Sequence, residues 1–194
     1  MRSFVLAFAA AAGALPLAAQ VAAPAGGMRQ LDWLIGEWNG TGTMSMGTGR
    51  QHEGSIVERA TRHAGGHAIT LEGLGKAAQA AGDSIVVHDA FALIWYDAGA
   101  NAFRMKTFRA TGHTVEPEIA VSAGKIVWGF TDPRAGRIRF TVTHLPDDRW
   151  HEVGEASRDG TTWMKFFEMN LTRAARARSL PAAPTPRLPS SRAP

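Results

Sequence analysis

Between residues 38 and 172 apolar and polar positions alternate, turn residues recur at short intervals, and no long 3.6-residue period appears. Strand-like runs follow one another at 38–46, 52–62, 67–74, 85–96, 103–109, 114–121, 125–130, 137–143, 149–157 and 163–172. Turn chemistry separates them: Gly47-Thr48-Gly49, Gly65-Gly66, Asp97-Ala98-Gly99, Ala123-Gly124, Asp132-Pro133 with Gly136, Pro146-Asp147-Asp148, and Arg158-Asp159-Gly160. The pattern predicts an all-β fold, a ten-stranded antiparallel up-and-down sheet. Closure into a barrel removes the two edges such a sheet would expose; the alternative is a two-sheet sandwich with longer crossovers. Two segments leave the meander. Residues 28–35 put Leu31, Leu34 and Ile35 at helical spacing with Trp33 beside them, which predicts a short helix plugging one barrel end. Residues 75–82 are Ala-rich and read as a loop or single helical turn, a candidate lid.

Several strands have one apolar side: Phe91, Leu93 and Trp95; Ile126, Trp128 and Phe130; Ile138, Phe140 and Val142; and Trp163, Phe167, Met169 and Leu171. Arg104, Lys106, Arg139 and Thr141 lie opposite, so each strand has one dry face and one wet face. An interior of this size holds either side chains alone or one small ligand.

The run Leu31-Asp32-Trp33-Leu34-Ile35-Gly36-Glu37-Trp38-Asn39-Gly40-Thr41-Gly42 resembles the opening of calycin-type barrels, the lipocalin, fatty-acid-binding and nitrobindin group. Gly36, Trp38, Gly40 and Gly42 complete its nitrobindin-like version. The later stretches 150–160 and 163–169 resemble a bacterial secreted group of such barrels of unknown function. Physically, Gly36 permits the turn from helix to strand, Trp38 caps the floor, and Gly40 and Gly42 permit bending and close approach. The lipocalin resemblance implies a basic residue of the last strand stacked over this tryptophan, and Arg173 stands there. The nitrobindin resemblance implies haem held by a last-strand histidine. Residues 163–172 contain no histidine, and Met169 stands at about that place.

Composition and charge matter once the ends are set aside. Residues 1–19 combine Arg2, an apolar run and small residues with Leu17 and Ala19 at −3 and −1, the pattern of a cleaved secretory signal. The apolar run is short of the ~20 residues a bilayer span needs, so no transmembrane segment is expected after cleavage. The division is then a signal at 1–19, a linker at 20–27, a barrel at 28–173 and a Pro/Ala/Arg-rich disordered tail at 174–194. A secreted or periplasmic protein is expected. With no cysteine it carries neither disulfide nor lipoprotein anchor. The pI near 10.1 belongs mainly to the tail: 15 of the 21 basic residues fall between 20 and 172, against all 17 acidic ones. A nucleic-acid partner is therefore not expected.

No nucleophile elbow, phosphate loop or dinucleotide fingerprint is present, and no catalytic or metal site is assigned. His52, His88, His113, His144 and His151 are scattered, and His63 and His67 flank a Gly-Gly turn. The sequons at Asn39 and Asn170 fall within strands and are discarded. Glu152 stands out. With Ser157 facing Thr162, it lies beside Phe167 on the inner face while His151 and Glu155 point outward, and a one-residue register shift reverses the faces. A carboxylate there is a hydrogen-bonded structural group or, alternatively, orients a polar ligand group or exchanges protons. The resulting expectation is a barrel binding a small hydrophobic or amphipathic molecule among Trp95, Met105, Trp128, Phe140, Trp150, Glu152, Phe167 and Met169, with no cofactor assigned. The alternatives are a haem barrel acting on nitric oxide or peroxynitrite, and a structural or protein-binding module with a filled core.

Overall fold

The computed structural model describes residues 26–46, 50–79 and 82–175. The expected signal, most of the linker and the tail from residue 176 lie outside the described residues. Eleven antiparallel strands form one sheet: β1 Gly36–Met46, β2 Arg50–His63, β3 Ala68–Ala78, β4 Ser84–Asp97, β5 Ala102–Arg109, β6 Thr114–Val115, β7 Glu118–Ser122, β8 Lys125–Asp132, β9 Gly136–Leu145, β10 Arg149–Ser157 and β11 Met164–Arg173. Their spatial order is β6-β5-β4-β3-β2-β1-β11-β10-β9-β8-β7, so the first strand pairs with the last.

The count is eleven rather than ten because the sixth expected strand splits. Pro117 has no N–H for a ladder and interrupts the run between β6 and β7. Those two strands sit at opposite edges of the sheet, yet only Glu116 and Pro117 separate them. Three peptide units span at most about 10 Å, so the sheet must curl until its edges approach. β5 and β7 come into contact there without a shared ladder. The result is a curled, barrel-like sheet with a seam. Residues 75–78 belong to β3 rather than to a loop or helical turn.

The expected helix at residues 28–35 is a 3-10 helix, Met28–Leu34. It buries Met28, Leu31 and Leu34 and forms the floor. Gly36, at φ +129, makes the turn into β1, and an added Cβ would lie 3.0 Å from Arg173 Nη1. The Trp38 indole N–H then donates to the Leu34 carbonyl at 2.7 Å. Trp33, Trp38 and Trp150 meet edge to face at centroid distances of 5.8 to 6.4 Å. The Arg173 guanidinium lies 4.0 Å over the Trp38 ring and donates to the Ile35 and Trp33 carbonyls at 2.7 and 2.8 Å. Its remaining N–H groups reach Asp148, which also partners His144, itself stacked on Trp33. One side chain thus ties the last strand to the helix, to β1 and to the β9–β10 turn.

Cross-strand partners share a face, so register decides what points inward. Ile94 pairs with Ile69 and Met105, all three buried, which puts Ala90, Ala92 and Ile94 of β4 inside. Phe91, Leu93 and Trp95 are therefore on the outer face, the reverse of the expected assignment. Both faces of this strand are apolar, and alternation alone does not choose between them. Trp163 precedes β11 and lies outside too, 4.0 Å beneath the Arg139 guanidinium.

Candidate functional site

The inner wall above the floor is built from β8 to β11 on one side and β2 to β5 on the other. Trp128 stacks on Phe140 at 4.2 Å, Phe140 meets Phe167 at 6.2 Å, and Phe130 lies 6.3 Å from Trp128. Gly154 makes this packing possible, since a Cβ there would come within 2.9 Å of both Phe140 and Phe167. Met105, Phe140, Trp150, Glu152 and Met169 are buried. Trp128, Phe130 and Phe167 face the same interior yet remain only half-buried. The inner aromatic wall thus packs against the core and keeps part of its surface accessible.

Of the expected interior set, the structure brings together Met105, Trp128, Phe140, Trp150, Glu152, Phe167 and Met169, and leaves Trp95 outside beside Arg104. Glu152 pairs with Met169 rather than Phe167, while Phe167 pairs with Gly154. Asp159 causes half of the difference. It accepts the backbone N–H groups of Thr161 and Thr162 and the Ser157 hydroxyl, holding a longer turn than a Ser157–Thr162 hairpin. That turn supplies one residue of the shift and a β-bulge between Gly154 and Glu155 supplies the second, so Glu152 keeps its face. His151 and Glu155 point outward, bound to Glu168 and Arg139.

A second interior carboxylate, Glu58 of β2, was not singled out from the sequence. It stands in phase with Ile56 and Ala60, two buried apolar residues, and an acidic residue in that phase is the signal that would have found it. Its oxygens lie over Gly73 of β3, its register partner, where an added Cβ would be 2.6 Å from Oε1. Burial, then the charge of Glu152, raises the Glu58 carboxyl well above its ordinary range. Burial pushes Glu152 up to about 7, and the nearby Trp150 and Trp128 indoles counter part of that rise. The Trp150 N–H is fully enclosed and completes no hydrogen bond among the described residues. Nearer the open end, His88 of β4 packs over Gly75, and burial followed by the charge of Arg109 lowers its pKa.

Two concavities of about 360 Å³ each lie outside this interior. One is against β1 and β2 at Ile35, Glu37 and Arg59, and the other crosses β1 to β4 at Thr41, Ser55 and Lys76. For haem, Met169 does not fit the role of axial ligand, because it is shut into the core against Gly42. Among the described residues no three His, Asp or Glu side chains come together as a metal site, and no helix is long and apolar enough to cross a membrane.

A scan against protein-family models and a search of curated proteins both give no match. Solved structures do match. Rv2717c from M. tuberculosis aligns with a TM-score of 0.55 at 14% identity, over 78% of this chain and 99% of that one. The S-type phycobiliprotein lyase CPES from Guillardia theta aligns with a TM-score of 0.53 at 11% identity, over 77% and 93%. At such identities the likeness is one of fold, and the fold these chains share is the calycin-like, lipocalin-like β-barrel.

Proposed function

We propose that the protein is an exported barrel that encloses a small hydrophobic or amphipathic molecule in its interior. The observation that carries the reading is the aromatic wall of Trp128, Phe130 and Phe167, which faces inward and, though packed against the core, keeps part of its surface accessible. Apolar burial at ~25 cal/mol per Å² supplies the affinity, and interior polar groups set orientation. The lipocalin-like fold shared with a lyase named for a phycobiliprotein is compatible with such a role. Titration with N-phenyl-1-naphthylamine, an uncharged fluorophore that brightens in apolar sites, tests it. Saturable binding near one molecule per chain is expected. No saturable signal, or one untouched by substitution of Trp128, contradicts the reading.

A further inference from the structure

Among the described residues, Glu58 and Glu152 form an acidic pair on the inner wall that no cationic side chain serves. Burial and mutual repulsion dominate around Glu58, and burial and two indoles around Glu152, with no lysine or arginine contributing to either. The remaining ionisable groups of the inner face are engaged or distant. Arg62 is bound to Asp32, and His144 and Arg173 are bound to Asp148 at the floor. His52 lies at the exposed rim, while His88, Arg109 and Asp132 sit toward the open end, where Asp132 accepts backbone N–H groups of its own turn. A carboxylate pair of which Glu152 is buried and Glu58 partly buried costs free energy unless something neutralises it.

A separate feature points to an occupant. Trp150 is only 4% exposed, its N–H completes no hydrogen bond, and it lies against Glu152, as does the Trp128 indole. Donors so placed favour an ionised Glu152, the state that a cation beside it would demand. The aromatic faces of Trp128, Phe140 and Phe167 complete surroundings suited to a soft, weakly hydrated cation. Two carboxylates without a third ligand are a poor metal site. Gly73 and Gly154 supply the room in which carboxylate and rings are set.

We propose that the enclosed molecule is an amphipathic organic cation, an amine or quaternary ammonium whose charged head lies between Glu58 and Glu152 and whose apolar part runs along the aromatic wall toward the open end. The proposal rests on the interior-binding reading above and narrows it to one ligand class.

The test compares three probes of equal chain length on the full chain by calorimetry below their micelle concentrations: decyltrimethylammonium, decanol and decanoate. At pH 8 the cation is expected to bind at least about tenfold tighter than the alcohol, and decanoate weakest. At pH 5, below the raised pKa of Glu152 at about 7, the preference collapses. Glu58→Gln and Glu152→Gln each reduce it, and Glu72→Gln on the outer wall leaves it unchanged. Because the probe comparison needs no substitution, a variant that fails to fold does not block it. Equal affinity for cation and alcohol at pH 8, with N-phenyl-1-naphthylamine still bound, overturns the cation assignment and leaves the interior reading standing. A preference that survives in the double variant also overturns it. Absence of binding by every probe overturns both.

Discussion

Replacing Glu152 by Gln removes one buried ionisable group while keeping its shape, and the consequence depends on pH in a calculable way. In the unfolded chain Glu152 ionises at the ordinary 4.5, whereas burial pushes it up to about 7 in the folded barrel. Between those values the unfolded chain gives up its proton first, so rising pH favours unfolding until the folded carboxyl has ionised as well. At about 1.4 kcal/mol per pKa unit the full penalty is about 3.5 kcal/mol, of which about 2.5 kcal/mol develops between pH 5 and pH 8. Any fixed cost of burying the glutamine amide is the same at both pH values and cancels. Urea unfolding followed by tryptophan fluorescence at pH 5 and pH 8 measures the difference. Glu152→Gln should gain about 2.5 kcal/mol on the parent chain over that interval, a midpoint shift on the order of 1 M urea. An equal stability difference at both pH values would refute the claim that this carboxyl is desolvated.

The other predictions concern the floor, the wall and the chain's start. Arg173→Ala loses the stack on Trp38 and two hydrogen bonds to carbonyls, and should lower stability by roughly 2 kcal/mol in thermal unfolding. A change within about 0.5 kcal/mol, the range of ordinary surface substitutions, would contradict its role as a tie. Gly73→Ala drives a methyl into the Glu58 carboxylate and should cost about 1–3 kcal/mol, mostly recovered in the Gly73→Ala/Glu58→Ala pair. No recovery would mean that the backbone, not Glu58, resists the methyl. Trp128→Ala should weaken N-phenyl-1-naphthylamine binding about tenfold while Trp95→Ala leaves it unchanged, since losing one aromatic contact face is worth on the order of 1–2 kcal/mol. The reverse ranking would place the ligand on the outer wall. Exported protein, sequenced from its N-terminus, should begin at Gln20; an intact Met1 would contradict the signal.

Much of the fold is legible in the sequence, because β-rich alternation and turn residues mark nearly every strand and the Gly36–Gly42 run marks the bend at the floor. What escapes is what register and sterics decide. The face of β4 reads backwards because Phe91 and Trp95 look more like core than Ala90 and Ala92, and only the pairing of Ile94 with Ile69 and Met105 settles it. The β6–β7 break depends on one missing N–H at Pro117. The site is half visible. Glu152 stands out among apolar neighbours on its strand, but Glu58 lies far off in sequence, and its room comes from Gly73 on a third strand. No local pattern contains that juxtaposition.

The central claim, that the inner face takes an organic cation between two carboxylates, meets its most direct test in nuclear Overhauser contacts between decyltrimethylammonium and the aromatic ring protons at pH 8. The account predicts that the ligand's N-methyl protons contact Trp128 and Trp150, and that its chain reaches Phe167 and Phe130 toward the open end. Contacts confined to outer-wall residues such as Trp95, Phe91 and Phe108 would contradict it.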